Sequence, residues 1–290
     1  VTQPIVLIGA ARSGTKIVRD ALAEAAGCGR VPYDIGFVWR YRNERAESDI
    51  LDPATVTPRI RSFVRDYIER YATDGSLKVI EKTVGNALRL PFVHAVLPDA
   101  VFVHLVRDGV DVSESIRRQW LAPAGGRYVM AKMRHFPLRL VPSYGRKYTA
   151  AQLHRIARKS RVGTWGPRYP GIDQDVRRES LLTVSARQWR TSVEYAASQL
   201  PQIGVPYFDV RYEDIVADPP GTLAALLDDL GLPYTDKNLL RTASRFDPGR
   251  VGRGATSLTS EELTELDREI RPVLCRLGYP SAVGHEVNDV

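Results

Sequence analysis

Apolar residues along the chain recur with two periods. Ile5–Ile8 is an unbroken apolar run, the pattern of a central parallel strand. From Lys16 to Ala26 the pattern changes: Ile17, Ala21, Leu22 and Ala25 fall on one helical face, and Gly27 and Gly29 close it. Val56–Tyr71 repeats the helical period through Ile60, Phe63, Val64, Tyr67, Ile68 and Tyr71. Leu77–Ile80 predicts a second strand, Leu88–Leu97 a short helix closed by Pro98, and Ala100–Val106 a third strand with a helix over Asp111–Trp120 behind it. Ser180–Leu200 predicts a helix with Val184, Trp189 and Val193 in the core. Val205–Val210 predicts a fourth strand, Pro220–Leu230 a helix stopped at Gly231, and Ser260–Leu277 a last helix capped by Ser260.

Strands that alternate with helices predict the α/β class, a central parallel sheet flanked by helices. At 290 residues, 43% of them hydrophobic, the chain suits one domain over residues 1–290. No internal repeat interrupts it. Residues 120–180 lack a clean strand and are rich in Pro, Gly and Arg, and read as an insertion or lid on the substrate side of the same domain. No apolar run approaches the roughly 20 residues that span a bilayer. No basic-then-apolar leader opens the chain, which starts without Met. Cys28 and Cys275 fit no metal spacing and are expected to be reduced, buried thiols.

The formal charge of +7 is unevenly spread. Between Arg117 and Ile172 there are 13 Lys and Arg and no acid, interleaved with Trp120, Tyr128, Tyr144, Tyr148, Trp165 and Tyr169. A solvated basic face is the plain reading. The length of the run and the aromatics favour a surface that meets an anion.

Between the first strand and the first helix lies GAARSGTK, Gly9–Lys16. Backbone amides at a helix N-terminus bind anions, and glycine lets them come close. Ser13, Gly14 and Thr15 supply amides and hydroxyls, while Arg12 and Lys16 flank them with charge. The nucleotide triphosphatase pattern is G-x-x-x-x-G-K-[ST]. Gly9 and Gly14 have that spacing, but Lys16 comes one place late and Ile17 stands where a magnesium-binding hydroxyl belongs. The strands end in Arg107 and Arg211 rather than in an acid for the metal. A structural glycine turn is the alternative for the loop alone. A second feature is LVRDGVDVSES, Leu105–Ser115, in which a strand delivers Arg107 to the same sheet edge and the next helix carries Ser115. An arginine and a hydroxyl make a phosphate clamp.

These segments resemble the sulfotransferases that use 3′-phosphoadenosine 5′-phosphosulfate (PAPS). Arg12-Ser13-Gly14-Thr15 resembles the K/R-[SG]-G-T core that grips the 5′-phosphosulfate. Arg107–Ser115 resembles the R-D-P-x-D-V-x-x-S segment that grips the 3′-phosphate, with Gly109 in place of Pro. Glu81-Lys82-Thr83 resembles the E-K-[TS] segment of carbohydrate sulfotransferases, whose lysine meets the sulfuryl group. RYEDIVADP, Arg211–Pro219, resembles the family's R-Y-E-D stretch, which implies that Tyr212 borders the adenine. Arg250-Val251-Gly252-Arg253-Gly254 resembles the R-x-G loop that closes on the 3′-phosphate. The likeness covers the chain outside residues 120–180. It implies a P-loop-like three-layer fold, PAPS as donor and transfer without a metal.

On this reading Arg12, Lys16 and Lys82 surround the transferred group, and a base must take the proton of the acceptor hydroxyl. The histidine that aryl and steroid sulfotransferases place after the lysine–threonine step is Val84 here. Heparan-type enzymes use a Glu after the first helix. Asp34 is the nearest match and Glu81 the second choice, with a turn residue as the plain reading of Asp34. His94, His104, His135 and His154 are also available, and His104, in mid-strand, reads as a core histidine.

The expected acceptor is a small molecule, glycan or glycolipid, of anionic or sugar-bearing type. Peripheral membrane contact would run through residues 117–172, nucleic acid is not expected as a partner, and a homo-oligomer is compatible. The low cysteine content suits a bacterial cytoplasmic enzyme, at the inner membrane face if peripheral. Two rivals remain at this point: a kinase-like phosphotransferase with a degenerate loop, and a nucleotide-binding protein without catalysis.

Overall fold

The computed structural model describes residues 2–122 and 165–286. Five parallel strands form the sheet: β1 (Gln3–Ile8), β2 (Gly29–Arg30), β3 (Lys78–Glu81), β4 (Val101–Val106) and β5 (Tyr207–Arg211), in the order β2-β3-β1-β4-β5. The register sets Ile5 opposite both Ile80 and Val101, and Phe102 opposite Tyr207. Helices follow the strands: α1 (Thr15–Ala26), α2 (Gly36–Trp39), α3 (Pro58–Glu69), α4 (Leu90–Val96) and α5 (Gly109–Leu121). After residue 165 come α6 (Ile172–Arg178), α7 (Leu181–Gln199), α8 (Tyr212–Ala217), α9 (Pro219–Asp229), α10 (Asp236–Ala243), α11 (Arg253–Ser257) and α12 (Ser260–Arg276).

Strand side chains alternate between the two faces. Val6 and Ile8 join Trp39, Tyr67, Phe92 and Phe102 in one core. Ile5 and Leu7 join Val18, Leu22, Leu105 and Leu226 in the other. Both faces are thus covered, which is why β1 is apolar throughout. A third cluster packs Val112 and Ile116 of α5 against Trp189 of α7 and Leu266 of α12.

The chain leaves β1 toward β2 and β3 and returns on the other side with β4 and β5, so the loop after β1 sits where the strand order reverses. Ligands of open α/β sheets bind at that place, outside the strand C-termini. The α/β expectation holds, and all four predicted strands are present. The pattern missed β2, which has two residues and no period to read.

Two local expectations are corrected. The cap of α12 is Thr259 rather than Ser260: Thr259 and Glu262 bond each other's backbone amides in a capping box. Cys28 is buried as expected, but Cys275 is exposed, because it lies on the outer face of α12. Most of the basic 120–180 segment, with Tyr128, Tyr144, Tyr148, His135 and His154, lies outside the described residues. Its two flanks meet at the buried Gln188 of α7. The Gln188 side chain accepts from Trp120 Nε1 (3.0 Å) and donates to the carbonyls of Trp165 (2.7 Å) and Pro167 (2.9 Å).

Candidate functional site

The loop between β1 and α1 turns twice through left-handed backbone, at Arg12 (φ 71°) and Gly14 (φ 95°). Gly14 could be no other residue here, since a Cβ would lie 2.5 Å from the Tyr212 ring. The helix that follows starts without a side-chain cap and without an acid in its first turn. Its first amides therefore have no internal acceptor and lie at the positive end of the helix dipole. Ser13 Oγ is buried and has no hydrogen-bond partner among the described residues. Arg12 and Lys16 are exposed at the loop rim, and Thr15 is buried.

Arg107 leaves the end of β4 into the same region. Its guanidinium stacks 4.4 Å from the centroid of Tyr212 and donates from Nη2 to Asp111 Oδ2 (3.0 Å) and to the Arg250 carbonyl. Its Nε is buried without a partner among the described residues. Arg12 Nε donates to Ser115 Oγ (3.1 Å), so the loop and the α5 segment meet directly. Although its surface is exposed, partial desolvation by the protein around it lowers the Arg12 pKa first, and the neighbouring Arg118, Arg107 and Arg250 lower it further. Four guanidinium groups thus lie within electrostatic reach of one another; besides the Arg107–Asp111 pair, Arg118 is paired with Glu114 and Arg250 with Asp247. Such a cluster, with two orphaned buried donors, fits an anion with more than one phosphate-like group.

Asp111, named in the sequence only within its motif, locks the last part of the site. Its Oδ2 accepts from the Gly252 amide (3.0 Å) and its Oδ1 from the Gly254 amide (2.6 Å). Gly254 lies so close to α5 that a Cβ would fall 2.6 Å from the Val110 carbonyl. The loop of residues 250–254 is thereby fixed over the start of α5, with the Arg250 and Arg253 side chains exposed. Tyr212 does not offer an open ring face to an adenine. It is 2% exposed, between Gly14 and Arg107, and supports both. Glu213, its neighbour, accepts from the Asp108 amide (3.0 Å) and the Tyr279 hydroxyl (2.8 Å), tying the C-terminal segment to the same turn.

Gly109, the departure from the family motif, has a local cause. A Cβ there would lie 2.8 Å from the Trp189 ring, whose Nε1 donates to the Arg107 carbonyl (3.1 Å). The indole fills the space a proline ring would take. Gly109→Pro is expected to destabilise the fold by about 1–3 kcal/mol through overpacking, although proline suits a first helical position. Thermal unfolding would show it as a lower Tm.

A second group lies at the end of β3, the strand beside β1. Lys82 Nζ sits 3.2 and 3.1 Å from the two Asp34 oxygens. Asp34 Oδ1 also accepts from the Val84 amide (3.0 Å), and the Ile35 amide donates to Thr83 Oγ1 (3.0 Å). Asp34 keeps some exposed surface, whereas Glu81 has none. Burial pushes the Glu81 carboxyl up to about 7, against the opposing pull of Thr83 and Lys82. Glu81, the second choice of base, has no exposed surface and is bonded by Thr83 and Asn86, so Asp34 is the more accessible of the two carboxylates. His104 is the core histidine its position suggests, buried with Nδ1 2.7 Å from Asp209 Oδ1.

A family model described as the sulfotransferase family matches residues 38–163 and 171–236, more than half of the chain. No curated protein matches. Among solved structures, a sulfotransferase domain from the curacin biosynthetic pathway shares 15% identity at a TM-score of 0.54, covering 97% of this chain and 99% of that one. Sulfotransferase STF9 from Mycobacterium avium shares 12% identity at a TM-score of 0.55, covering 97% and 78%. A mouse sulfotransferase complexed with PAP (3′,5′-adenosine bisphosphate) shares 12% identity at a TM-score of 0.50, covering 96% and 89%. At these identities the likeness is one of fold: a parallel sheet flanked by helices, with a P-loop-like first turn.

Proposed function

The chain belongs to the sulfotransferase family, and from that premise we propose that it moves a sulfuryl group from PAPS to a hydroxyl of a sugar-bearing or other small or lipid acceptor. The observation that carries the donor assignment is the cluster of Arg12, Arg107, Arg118 and Arg250 around two orphaned donors, Ser13 Oγ and Arg107 Nε. A nucleotide with phosphate groups at both the 5′ and 3′ positions matches two anion positions, one at the helix N-terminus and one beside Arg107. Arg12, Ser13, Gly14, Thr15 and Lys16 would hold the 5′ end. Arg107, Ser115, Arg250, Gly252 and Arg253 would hold the 3′-phosphate, with Tyr212 as the support beneath. PAPS, when bound, supplies an activated sulfuryl group on a phosphate leaving group.

The residues at the end of β3 suit the other half of the reaction. Lys82 places positive charge next to where charge would grow on the leaving phosphate, and fixed charge of this kind needs no reorganisation during transfer. Asp34, held by Lys82 and the Val84 amide, is the group with exposed surface to take the acceptor proton. Arg107 and Arg211 at the strand ends in place of an acid, and Ile17 in place of a hydroxyl at the loop, favour transfer without a metal. The acidless basic run from Arg117 to Ile172 supports an anionic acceptor. Among the described residues no helix is long and apolar enough to cross a membrane. The lipid contact proposed here is peripheral, at the cytoplasmic face, and rests on the charge of the 117–172 run.

Calorimetry tests the donor assignment. PAP is expected to bind at least about 100-fold more tightly than 5′-AMP, because two to three charge-assisted hydrogen bonds to the 3′-phosphate are lost in the monophosphate. Mg-ATP is expected to bind no better than 5′-AMP. Equal affinity for PAP and 5′-AMP would refute the reading, and magnesium-dependent ATP turnover would return the loop to the phosphotransferases.

A further inference from the structure

Glu81 is fully buried, yet none of the roles above uses it. Its surroundings form one directed chain of hydrogen bonds. Arg89 Nε donates to Asn86 Oδ1 (3.0 Å), and Asn86 Nδ2 donates to Glu81 Oε2 (3.0 Å). From the other side, the Ile35 amide donates to Thr83 Oγ1 (3.0 Å), and Thr83 Oγ1 donates to Glu81 Oε1 (2.5 Å). A threonine hydroxyl has one proton to give. Because Glu81 takes it, Thr83 Oγ1 is left as a pure acceptor toward Ile35. That bond pins the Asp34–Ile35 turn to the segment carrying Lys82, where Lys82 Nζ (3.1 Å) and the Val84 amide (3.0 Å) hold the Asp34 carboxylate.

We propose that Glu81 is a positioning residue for the transfer step: through Thr83 it sets the Asp34 carboxylate against Lys82, and it never meets the acceptor. The proposal rests on the sulfuryl-transfer reading above. Its pH consequence follows from the same bonds. The charged groups facing Glu81 are Asp34 on the preceding turn and Lys82 on its own segment. Trp39 of α2 lies beside it without a hydrogen bond of ordinary length, and Arg89 of α4's entry acts through Asn86. Its carboxyl titrates at about 7 because burial outweighs those donors. Protonation either sets a hydrogen against the Asn86 amide or reverses the Thr83 bond and leaves the Thr83 proton without its acceptor, so the turn is held in its working form above that pH and loosened below it.

Glu81→Gln keeps the shape and removes the charge. Its amide would either set an N–H against the Asn86 amide or donate to Thr83 Oγ1 and leave the Thr83 proton without its acceptor, and Asn86 cannot turn to accept because Arg89 fixes its oxygen. The kcat for PAPS turnover, with water as acceptor, is expected to fall by about 10- to 100-fold, as for a displaced catalytic group. The KM for PAPS and the Kd for PAP should stay within about twofold, since no group of the nucleotide cradle is touched. The rise of kcat through about pH 7 in the wild type should vanish in this variant. Thr83→Val should reproduce the loss and Thr83→Ser should retain activity, and hydrogen exchange at the Ile35 amide should quicken in Glu81→Gln and Thr83→Val only. Unchanged kcat and pH profile in Glu81→Gln would overturn the proposal, as would a parallel loss of PAP affinity and Tm. If the wild type fails to bind PAP, the donor reading falls by itself, and Ile35 exchange still decides whether Glu81 holds the turn.

Discussion

Arg107→Ala is expected to weaken PAP binding by at least about 100-fold, the largest loss of any single substitution in the nucleotide cradle. Two effects add. The direct one is the loss of charge-assisted hydrogen bonds to the 3′-phosphate, each worth about 1.5–3 kcal/mol. The indirect one is the release of the cradle itself. Arg107 is stacked on Tyr212, paired with Asp111 and bonded to the Arg250 carbonyl. Asp111 is buried and would lose its arginine, leaving the Gly252 and Gly254 amides as its bonds. Breaking a buried pair on one side costs about 3–5 kcal/mol, so the variant should also have a lower Tm. Ser115→Ala separates the two effects, because it removes one hydroxyl from Arg12 and leaves the Asp111 pair intact. It should lose about tenfold in affinity with little change in Tm. Lysine cannot stack and form both bonds at once, so Arg107→Lys should fall between the two. A folded Arg107→Ala protein that binds PAP like the wild type would remove Arg107 from the site.

Lys82→Met is expected to lower kcat by about 100- to 1000-fold while changing PAP affinity little, the magnitude seen when one charge-stabilising donor is removed from a preorganised site. Methionine keeps the length and the packing of a side chain that is almost fully enclosed, so the change is one of charge. It also takes the counter-charge from Asp34, whose Oδ1 keeps the Val84 amide. Single-turnover measurement with PAPS and water as acceptor isolates the chemical step from product release. An unchanged single-turnover rate would show that Lys82 serves Asp34 in folding and has no part in transfer.

The sheet and the meeting of the first loop with α5 were legible because their signals are local. β1 and β4 are apolar runs, the loop carries its glycine and cations in one stretch, and Arg107 and Ser115 lie eight positions apart on a strand and the next helix. The supports were not legible, because each joins residues remote in sequence. Nothing in the order of residues says that Trp189 lies over Gly109, or that Asp111 holds the amides of Gly252 and Gly254. Glu81 shows the limit most clearly. As a letter beside Lys82 it reads as an acid within reach of the reaction. Its enclosure comes from Thr83 and Asn86 folding back over it, with Trp39 beside it, a three-dimensional fact that a motif does not encode.

The bond from Asp111 to the Gly254 amide spans 143 positions, and the bond from Arg12 to Ser115 spans 103. During synthesis the first strand, its loop and Arg107 leave the ribosome long before residues 250–254 do. Contacts this distant in sequence come late, after the loop-closure entropy of the intervening chain has been met. On the proposed donor reading, an unfinished chain would carry most of the arginines but no closed cradle. Only the completed fold would then gain the roughly 2.7 kcal/mol that a ligand at 100 times its Kd confers. The late loop would thus make the proposed donor a selective stabiliser of finished molecules.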